Sequence, residues 1–222
     1  MLVLFLFSTE KIHVSVQDCD DTDATKTTDC TEKPCNEFDN RVDEVLNTEG
    51  GFVNDPDDLG GATNKGIAWD TWVQNAQSVL GIDPTLENLG NLTDQGAKDI
   101  YKNEYWDKIN ADDIDDGDIR FMLFDFYVNS GSHAVKGVQR TLNSMGYNLT
   151  VDGGMGPNTL NAINSANQMD LYNNLKQTRI DFYNGIVQRN PSQSKFLNGW
   201  LNRINKFKDK TEEDNQDVNC PE

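Results

Sequence analysis

The chain has 222 residues, with 37 Asp and Glu against 19 Lys and Arg, so its formal net charge is −18 at pH 7. This acidic excess argues against general nucleic-acid binding, which needs a basic surface to meet the phosphates. Hydrophobic residues make up 36% of the sequence, enough for a globular core, and no apolar run reaches the roughly 18 residues of a transmembrane helix.

The first 36 residues predict a leader rather than a folded element. The chain opens with the apolar stretch MLVLFLF, as a secretory signal does, but no basic residue precedes it. Residues 8–36 are polar and acidic, and residues 209–222 form a similar tail. We therefore expect a secreted or extracytoplasmic protein whose ordered part lies between an acidic leader, 1–36, and an acidic tail, 209–222.

The cysteines support the same compartment. They lie near the two ends of the chain, at Cys19, Cys30, Cys35 and Cys220. An even number of cysteines in an extracytoplasmic protein favours disulfides, and four cysteines allow three pairings. The spacings do not repeat as the paired CxxC units of a zinc site.

Apolar spacing predicts a mainly α domain of about eight helices with one small β-hairpin. The first helix is predicted at 37–49, from the spacing of Phe38, Val42, Val45 and Leu46. The segment 119–131, IRFMLFDFYVNSG, is apolar on all sides, so we expect it to be the central buried helix. The other helices are predicted near 69–80, 93–109, 134–145, 157–166, 169–189 and 194–208. The Asn-, Asp-, Pro- and Gly-rich stretch before residue 69 predicts a loop and the hairpin.

Glu49 is the first candidate catalytic residue. It lies eleven residues after Phe38, which at 100° per residue is about 20° from the Phe38 direction, so it continues the apolar stripe. Desolvation there and the negative end of the helix dipole both favour the neutral carboxylic acid. A glycosidase uses such a protonated carboxyl as its general acid. The spacing alone leaves this role and that of an exposed Glu beyond the helix end equally open.

The residues after Glu49 carry a long motif. The stretch EGGFVNDPDDLGGATNKGI, residues 49–67, resembles the signature of glycoside hydrolase family 108, bacterial and phage N-acetylmuramidases with a lysozyme-like fold. The fixed positions of that signature are met by Glu49, Gly50, Gly51, Phe52, Val53, Asn54, Asp55, Pro56, Asp58, Gly60, Gly61, Thr63, Gly66 and Ile67. Phe52 replaces the commoner Tyr and so lacks one hydroxyl.

The resemblance covers residues 37–208. Further similar stretches are NLTDQGAKDIYKNEYWDKI at 91–109, FDFYVNSG at 124–131, VKGVQRTLNSMGYNLTVDGGMGPNTLNAI at 135–163 and KFLNGWLNRI at 195–204. The resemblance implies a lysozyme-like catalytic region at 37–130, with the hairpin next to the active site. It also implies a helical peptidoglycan-binding-like region at 131–208 that packs on the first.

By this resemblance the protein hydrolyses the β-1,4 bond between N-acetylmuramic acid and N-acetylglucosamine, with Glu49 as general acid and no metal or organic cofactor. Asp58 is the first candidate for the second carboxylate, with Asp55 and Asp57 as rivals. A carboxyl separation of about 6.5–9.5 Å would indicate inversion and about 5–5.5 Å retention, and the sequence leaves both open.

Sugar contacts are expected from side chains near this centre. The turn before Pro56 gives Asp55 an alternative role in the backbone, and Thr63 either orients water or holds the hairpin. Trp69, Trp72 and Trp106 are assigned mainly to the core. The expected substrate-binding residues are Asn54, Asp55, Thr63, Asn64, Tyr127 and Asn129.

The expected partner is the glycan strand of peptidoglycan, and we expect a monomer. A non-catalytic wall-binding protein that grips with residues 131–208 is one alternative, and a chitinase-like specificity on the same scaffold is another. Release of an endolysin-like enzyme from the cytoplasm through a phage holin and action in secretion or wall remodelling both stay open.

Two acidic features are assigned to structure. Asp125 lies within the all-apolar segment, and a buried carboxylate must be paired, with a helix cap or an Arg. The acidic segment 112–118, DDIDDGD, does not fit a calcium-binding EF-hand, because Ile114 and Leu123 stand where carboxylates are needed. We expect a solvated loop there.

Overall fold

The computed structural model describes Phe38, Val42, Asp43, Leu46, residues 51–54 and residues 61–211. The strands are β1 (Thr63–Asn64) and β2 (Ile67–Ala68). The helices are α1 (Trp69–Leu80), α2 (Leu86–Gly90), α3 (Asp94–Tyr101), α4 (Gly117–Ser130), α5 (Ser132–Ser144), α6 (Pro157–Ser165), α7 (Gln168–Arg189) and α8 (Ser194–Ile204). The predicted fold class, mainly α with one small hairpin, is confirmed. Within these ranges no helix is both long and apolar enough to cross a membrane.

Local signals set several helix ends where the sequence predicts them. The Thr93 side chain caps α3 by accepting a hydrogen bond from the Gly96 amide at 3.0 Å. Pro157 stands in the first turn of α6, where its missing N–H costs nothing. Helix α2 was not predicted, because five residues are too few to show a helical period, although Thr85 caps it by accepting from Asn88.

The predicted helix at 93–109 is broken into three pieces. After α3 the chain forms a π-helical turn at Lys102–Trp106 and a 3-10 turn at Asp107–Ile109, and it reverses at Asn110, whose φ is 46°. Apolar side chains still point inward through the break, since Trp106 and Ile109 are buried. The apolar period is therefore kept while the backbone hydrogen bonding changes.

The N-terminal helical residues pack on the centre of the domain. Phe38, Val42, Asp43 and Leu46 are helical, Phe38 and Val42 are buried, and Leu46 is half-buried. The Phe38 ring meets the edges of Trp106 and Phe124, with centroids 5.2 and 6.4 Å away. At these positions the apolar stripe predicted for the first helix is confirmed.

Helix α4 is the central helix, as predicted. Its buried residues are Ile119, Met122, Leu123, Phe124, Asp125, Phe126 and Val128. Neighbouring helices supply the cover, and α5, α7 and the π-helical turn all lie against it. A helix covered on all sides does not need a polar face, which explains why the sequence of α4 lacks an amphipathic pattern.

The expectation of a solvated loop at 112–118 is confirmed in part. Asp112, Asp113, Asp115 and Asp118 are exposed, but Ile114 is buried and two of the carboxylates make structural contacts. Asp112 accepts a hydrogen bond from the indole of Trp106 at 2.8 Å. Asp116 caps α4 by accepting from the Ile119 amide at 2.9 Å, and it also pairs with Lys210 at 2.9 Å. These contacts are made with the preceding π-helical turn, the next helix and the distant Lys210, and composition alone does not predict them.

Asp125 is paired with arginine, as expected. Only 6% of Asp125 is exposed, and its carboxylate accepts from the guanidinium groups of Arg179 on α7 and Arg203 on α8, with 2.7 Å from Nε of Arg203. Burial by itself would raise the pKa of Asp125, but the charges and hydrogen bonds of Arg203 and Arg179 outweigh it and lower the pKa to about 2.

Replacing Asp125 by Ala should destabilise the fold by about 3–5 kcal/mol, because two arginines would stay buried without their counter-ion. Urea unfolding measures the loss. The control is Asp181→Ala, which removes an exposed carboxylate on α7 and should change the free energy of unfolding by less than about 0.5 kcal/mol.

The pH dependence gives a second check of the same residue. The pKa of Asp125 is about 2 in the folded state and about 3.9 in the unfolded state. Asp125 therefore contributes its full stabilisation above about pH 3.9 and loses it as the pH falls towards 2. The stability difference between wild type and Asp125→Ala should shrink over this range. A difference that is small at pH 7, or that does not change with acid, contradicts the pairing.

Candidate active site

The predicted carboxylates Glu49, Asp55, Asp57 and Asp58 lie outside the described residues, so their roles stay predictions. The nearest described residues along the chain are Leu46, residues 51–54 and residues from 61 onwards. Leu46, three residues before Glu49, is helical and packs against the core.

A small sheet holds the described ends of the motif loop. Val53 pairs with Thr63 through two backbone hydrogen bonds of 2.8 Å, and Thr63 pairs with Ala68 across β1 and β2. The turn between the strands has positive φ at Lys65 (50°) and Gly66 (74°), which is the type I′ geometry that suits a tight hairpin. Thr63 is thus held on both sides, and the stretch that carries the predicted second carboxylate starts and ends at one hydrogen-bonded pair.

Asn64 anchors the hairpin to α2. Only 4% of Asn64 is exposed, and its Nδ2 donates to the carbonyl oxygens of Leu89 at 2.7 Å and Gly90 at 3.2 Å. These carbonyls are the open end of a short helix, so the amide satisfies groups that would otherwise lack partners. The geometry supports a structural role for Asn64 in place of the predicted sugar contact.

Exposed apolar side chains lie at and next to the Val53–Thr63 pair. Phe52 is 43% exposed and Val53 is 54% exposed, although Phe52 is close enough to Gly90 to cover the end of α2. Asn54, the next residue and a predicted sugar ligand, is exposed too. An aromatic ring and an amide side by side on an open surface suit the apolar face and the hydroxyls of a sugar.

The C-terminal half of α4 carries the other predicted sugar ligands. Tyr127 is half-buried, and the Asn129 amide donates to the carbonyl of Asp125 at 2.6 Å. Ser130 likewise bonds back to Phe126, at 2.8 Å. Both side chains are held against their own helix, which fixes their direction and uses one donor of each.

A carboxylate that the sequence did not point to acts electrostatically on Tyr127. Glu104 is in the π-helical turn, its side chain is 29% exposed, and its described cation partner, Lys108, is 4.0 Å away. Burial and then the charge of Glu104 raise the pKa of Tyr127. π-Helical turns are rare and often occur at functional sites, so this one marks Glu104 as a candidate.

Tyr105 completes the cluster and connects it to the hairpin. Burial raises its pKa, a hydrogen bond from Thr71 lowers it, and the charge of Glu104 raises it again. Thr71 is in the first turn of α1, directly after β2. The π-helical turn therefore lies against α4 and is linked through Tyr105 to the first turn of α1. The phenols of Tyr105 and Tyr127 and the carboxylate of Glu104 are groups that can donate or accept hydrogen bonds.

Sequence reading missed Glu104 for a physical reason. Tyr101 and Tyr105 are four residues apart and predict one inward face of a regular helix, on which Glu104 would be a solvated neighbour. The π-helical turn inserts a residue and redirects the side chains after Tyr101. Nothing in the apolar pattern signals that insertion.

Glu104→Gln should lower the pKa of Tyr127, because it removes the negative charge that opposes ionisation of the phenol. Titration of the tyrosine ring carbons by NMR measures it, with Glu87→Gln, an exposed substitution on α2, as the matched control. A Tyr127 titration that stays the same in Glu104→Gln would place the carboxylate away from the phenol.

Two family models match the chain in succession. Residues 42–131 match a model described as glycosyl hydrolase 108, and residues 133–205 match one described as a predicted peptidoglycan domain. Among solved structures, the chain is similar to Brucella abortus SagA, with 30% sequence identity and a TM-score of 0.62. The similarity covers 77% of this chain and 90% of that one. No curated protein matches the chain.

Proposed function

This chain belongs to glycosyl hydrolase family 108 and is a glycoside hydrolase, and we propose that it cleaves the β-1,4 bond between N-acetylmuramic acid and N-acetylglucosamine. The observation that carries the proposal is the match to two adjoining family models, one for a hydrolase and one for a peptidoglycan domain. Peptidoglycan is therefore the supported substrate, and the bond within it is the proposed detail.

Glu49 is the proposed general acid. It donates its proton to the glycosidic oxygen as the bond from that oxygen to the sugar C1 breaks, and water then adds to C1. The water proton passes to a carboxylate, for which Asp58 is the first candidate and Asp55 and Asp57 are rivals. Support comes from the burial of Phe38 and Val42, because the eleven-residue spacing from Phe38 predicts the same face for Glu49 in a continuous helix.

The sugar-contact set is revised by the geometry. Asn54, Thr63, Tyr127 and Asn129 stay in it, together with Asp55, whose surroundings are not described. Exposed Phe52 joins them as a ring on which a sugar can stack. Asn64 leaves the set because both of its described bonds go to backbone carbonyls.

The remaining expectations stand as part of the proposal. We place the catalytic region at 37–130 and the wall-binding region at 131–208, in a monomer that acts outside the cytoplasm without a metal or organic cofactor. The proposed disulfides fall outside the described residues, because Cys19, Cys30, Cys35 and Cys220 all do.

Glu49→Gln should lower the rate of wall lysis by about 10²–10⁴-fold, because the amide cannot protonate the leaving oxygen. Turbidity of a suspension of purified cell walls measures lysis, and co-sedimentation with the same walls should show that binding is retained. Glu87→Gln is the control for loss of an exposed glutamate. Lysis at the wild-type rate in Glu49→Gln removes Glu49 from the mechanism.

Product analysis tests the bond and the second carboxylate. Digestion of peptidoglycan should create N-acetylmuramic acid at the new reducing end, and chitin oligomers should be poor substrates. Proton NMR of the fresh product gives the anomer, hence retention or inversion. Asp58→Asn should slow the reaction far more than Asp55→Asn or Asp57→Asn, the three variants serving as controls for one another. A new N-acetylglucosamine end, or an unaffected Asp58→Asn, overturns the corresponding assignment.

A further inference from the structure

A shallow groove lies on the second half of the molecule, within residues 147–165. It has a volume of about 360 Å³ and runs between the turn after α5 and one face of α6. Tyr147 and Asn148 line it from the turn, and Asn158, Asn161 and Ser165 line it from the helix. The helix residues are three and four positions apart, so they point the same way.

Three asparagines in the groove have unused amides. Asn148, Asn158 and Asn161 are exposed, and within the part of the chain that the structure describes their side chains make no hydrogen bond. Each amide therefore offers two N–H donors and a carbonyl acceptor to a ligand.

The asparagines next to the groove behave differently. Asn143 donates to the carbonyl of Leu149 at 2.9 Å and accepts from its amide at 2.7 Å. Asn164, also on α6, donates to the carbonyl of Asp113 at 2.8 Å. The fold uses these side chains, so the three free amides are not a general property of the asparagines in this region.

The groove walls are held in place from beneath. Gln139 on α5 is 1% exposed, and its Nε2 donates to Asp152 at 2.9 Å and to Thr159 on α6 at 3.2 Å. Its Oε1 accepts from the Gly153 amide at 3.0 Å. One buried side chain thus ties α5, the connecting loop and α6 together, and a preformed site loses less entropy when it binds.

The lining selects for an uncharged ligand. Charged residues are 25% of the sequence, yet none of the described residues that line this groove is charged. Amides match the acetamido groups and hydroxyls of N-acetylated sugars, and the Tyr147 ring can cover the apolar face of a sugar ring. The ionised groups of a stem peptide would find no counter-charge here. We propose that the groove formed by Tyr147, Asn148, Asn158 and Asn161 is a second binding site for the N-acetylated glycan strand; this rests on the proposed function.

The test compares two matched double variants of the full chain. Asn158→Ala with Asn161→Ala removes two groove amides, and Asn198→Ala with Asn202→Ala removes two exposed amides from α8. Alanine is a better helix former than asparagine, so both variants should keep the fold, with thermal unfolding as the check. Binding is measured in the Glu49→Gln background, so that the probe is not cut.

The probes are purified cell walls and N-acetylchitohexaose, which has no stem peptide. The groove variant should bind both about tenfold more weakly, as expected for two lost neutral hydrogen bonds, and the α8 variant should bind as its parent does. With Glu49 restored, the groove variant should lyse walls several-fold more slowly but cleave short soluble peptidoglycan fragments at the normal rate.

Equal binding by the two double variants overturns the proposal. A second outcome would overturn the glycan assignment: a muramyl peptide displaces walls in a way that depends on the groove asparagines, while chitohexaose neither binds nor competes. The ligand of the groove would then be the stem peptide. Failure of the proposed function looks different, since the wild type would then leave peptidoglycan intact while chitohexaose still binds through the groove.

Discussion

The buried carboxylate of Asp125 is the contact on which the arrangement of the helices depends. It lies in the middle of the central helix, and its two arginine partners come from α7 and α8. A buried ion pair adds little net stability over an apolar contact, but losing one partner is costly, so the three helices are confined to one relative placement. Arg179 is further confined by Phe126 and Phe207, whose ring centroids lie 5.3 and 5.5 Å from its guanidinium carbon.

This contact also joins the two regions that the family models separate. Asp125 falls within residues 42–131, and both arginines fall within residues 133–205. The half-buried Tyr127 is two residues from Asp125 on the same helix, so the helix that carries this proposed sugar contact is positioned by helices of the second matched region. The second region is therefore also part of the packing of the first.

Features that depend on local pattern could be predicted from the sequence. The long helices follow from their apolar period, the buried pairing of Asp125 follows from a lone carboxyl in an all-apolar segment, and the family follows from the motif after Glu49. Features that depend on contacts between distant segments could not be predicted from the sequence. The anchoring of Asn64 on α2 and the pairing of Asp116 with Lys210 are of this kind, because in each case the partner lies far along the chain.

The π-helical turn and the groove on α6 show how much of the function lies beyond pattern. Glu104, whose charge raises the pKa of Tyr127, lies in the π-helical turn, and the groove is distinguished by asparagine amides that make no hydrogen bond within the described residues. Because Asp125 joins the two regions, a strand bound at the α6 groove would be held on the same folded unit as the proposed sugar contacts Tyr127 and Asn129. Once a strand is bound at one site, its binding at the other is intramolecular. This raises the occupancy of both sites by a long polymer and has no effect on a fragment too short to reach both.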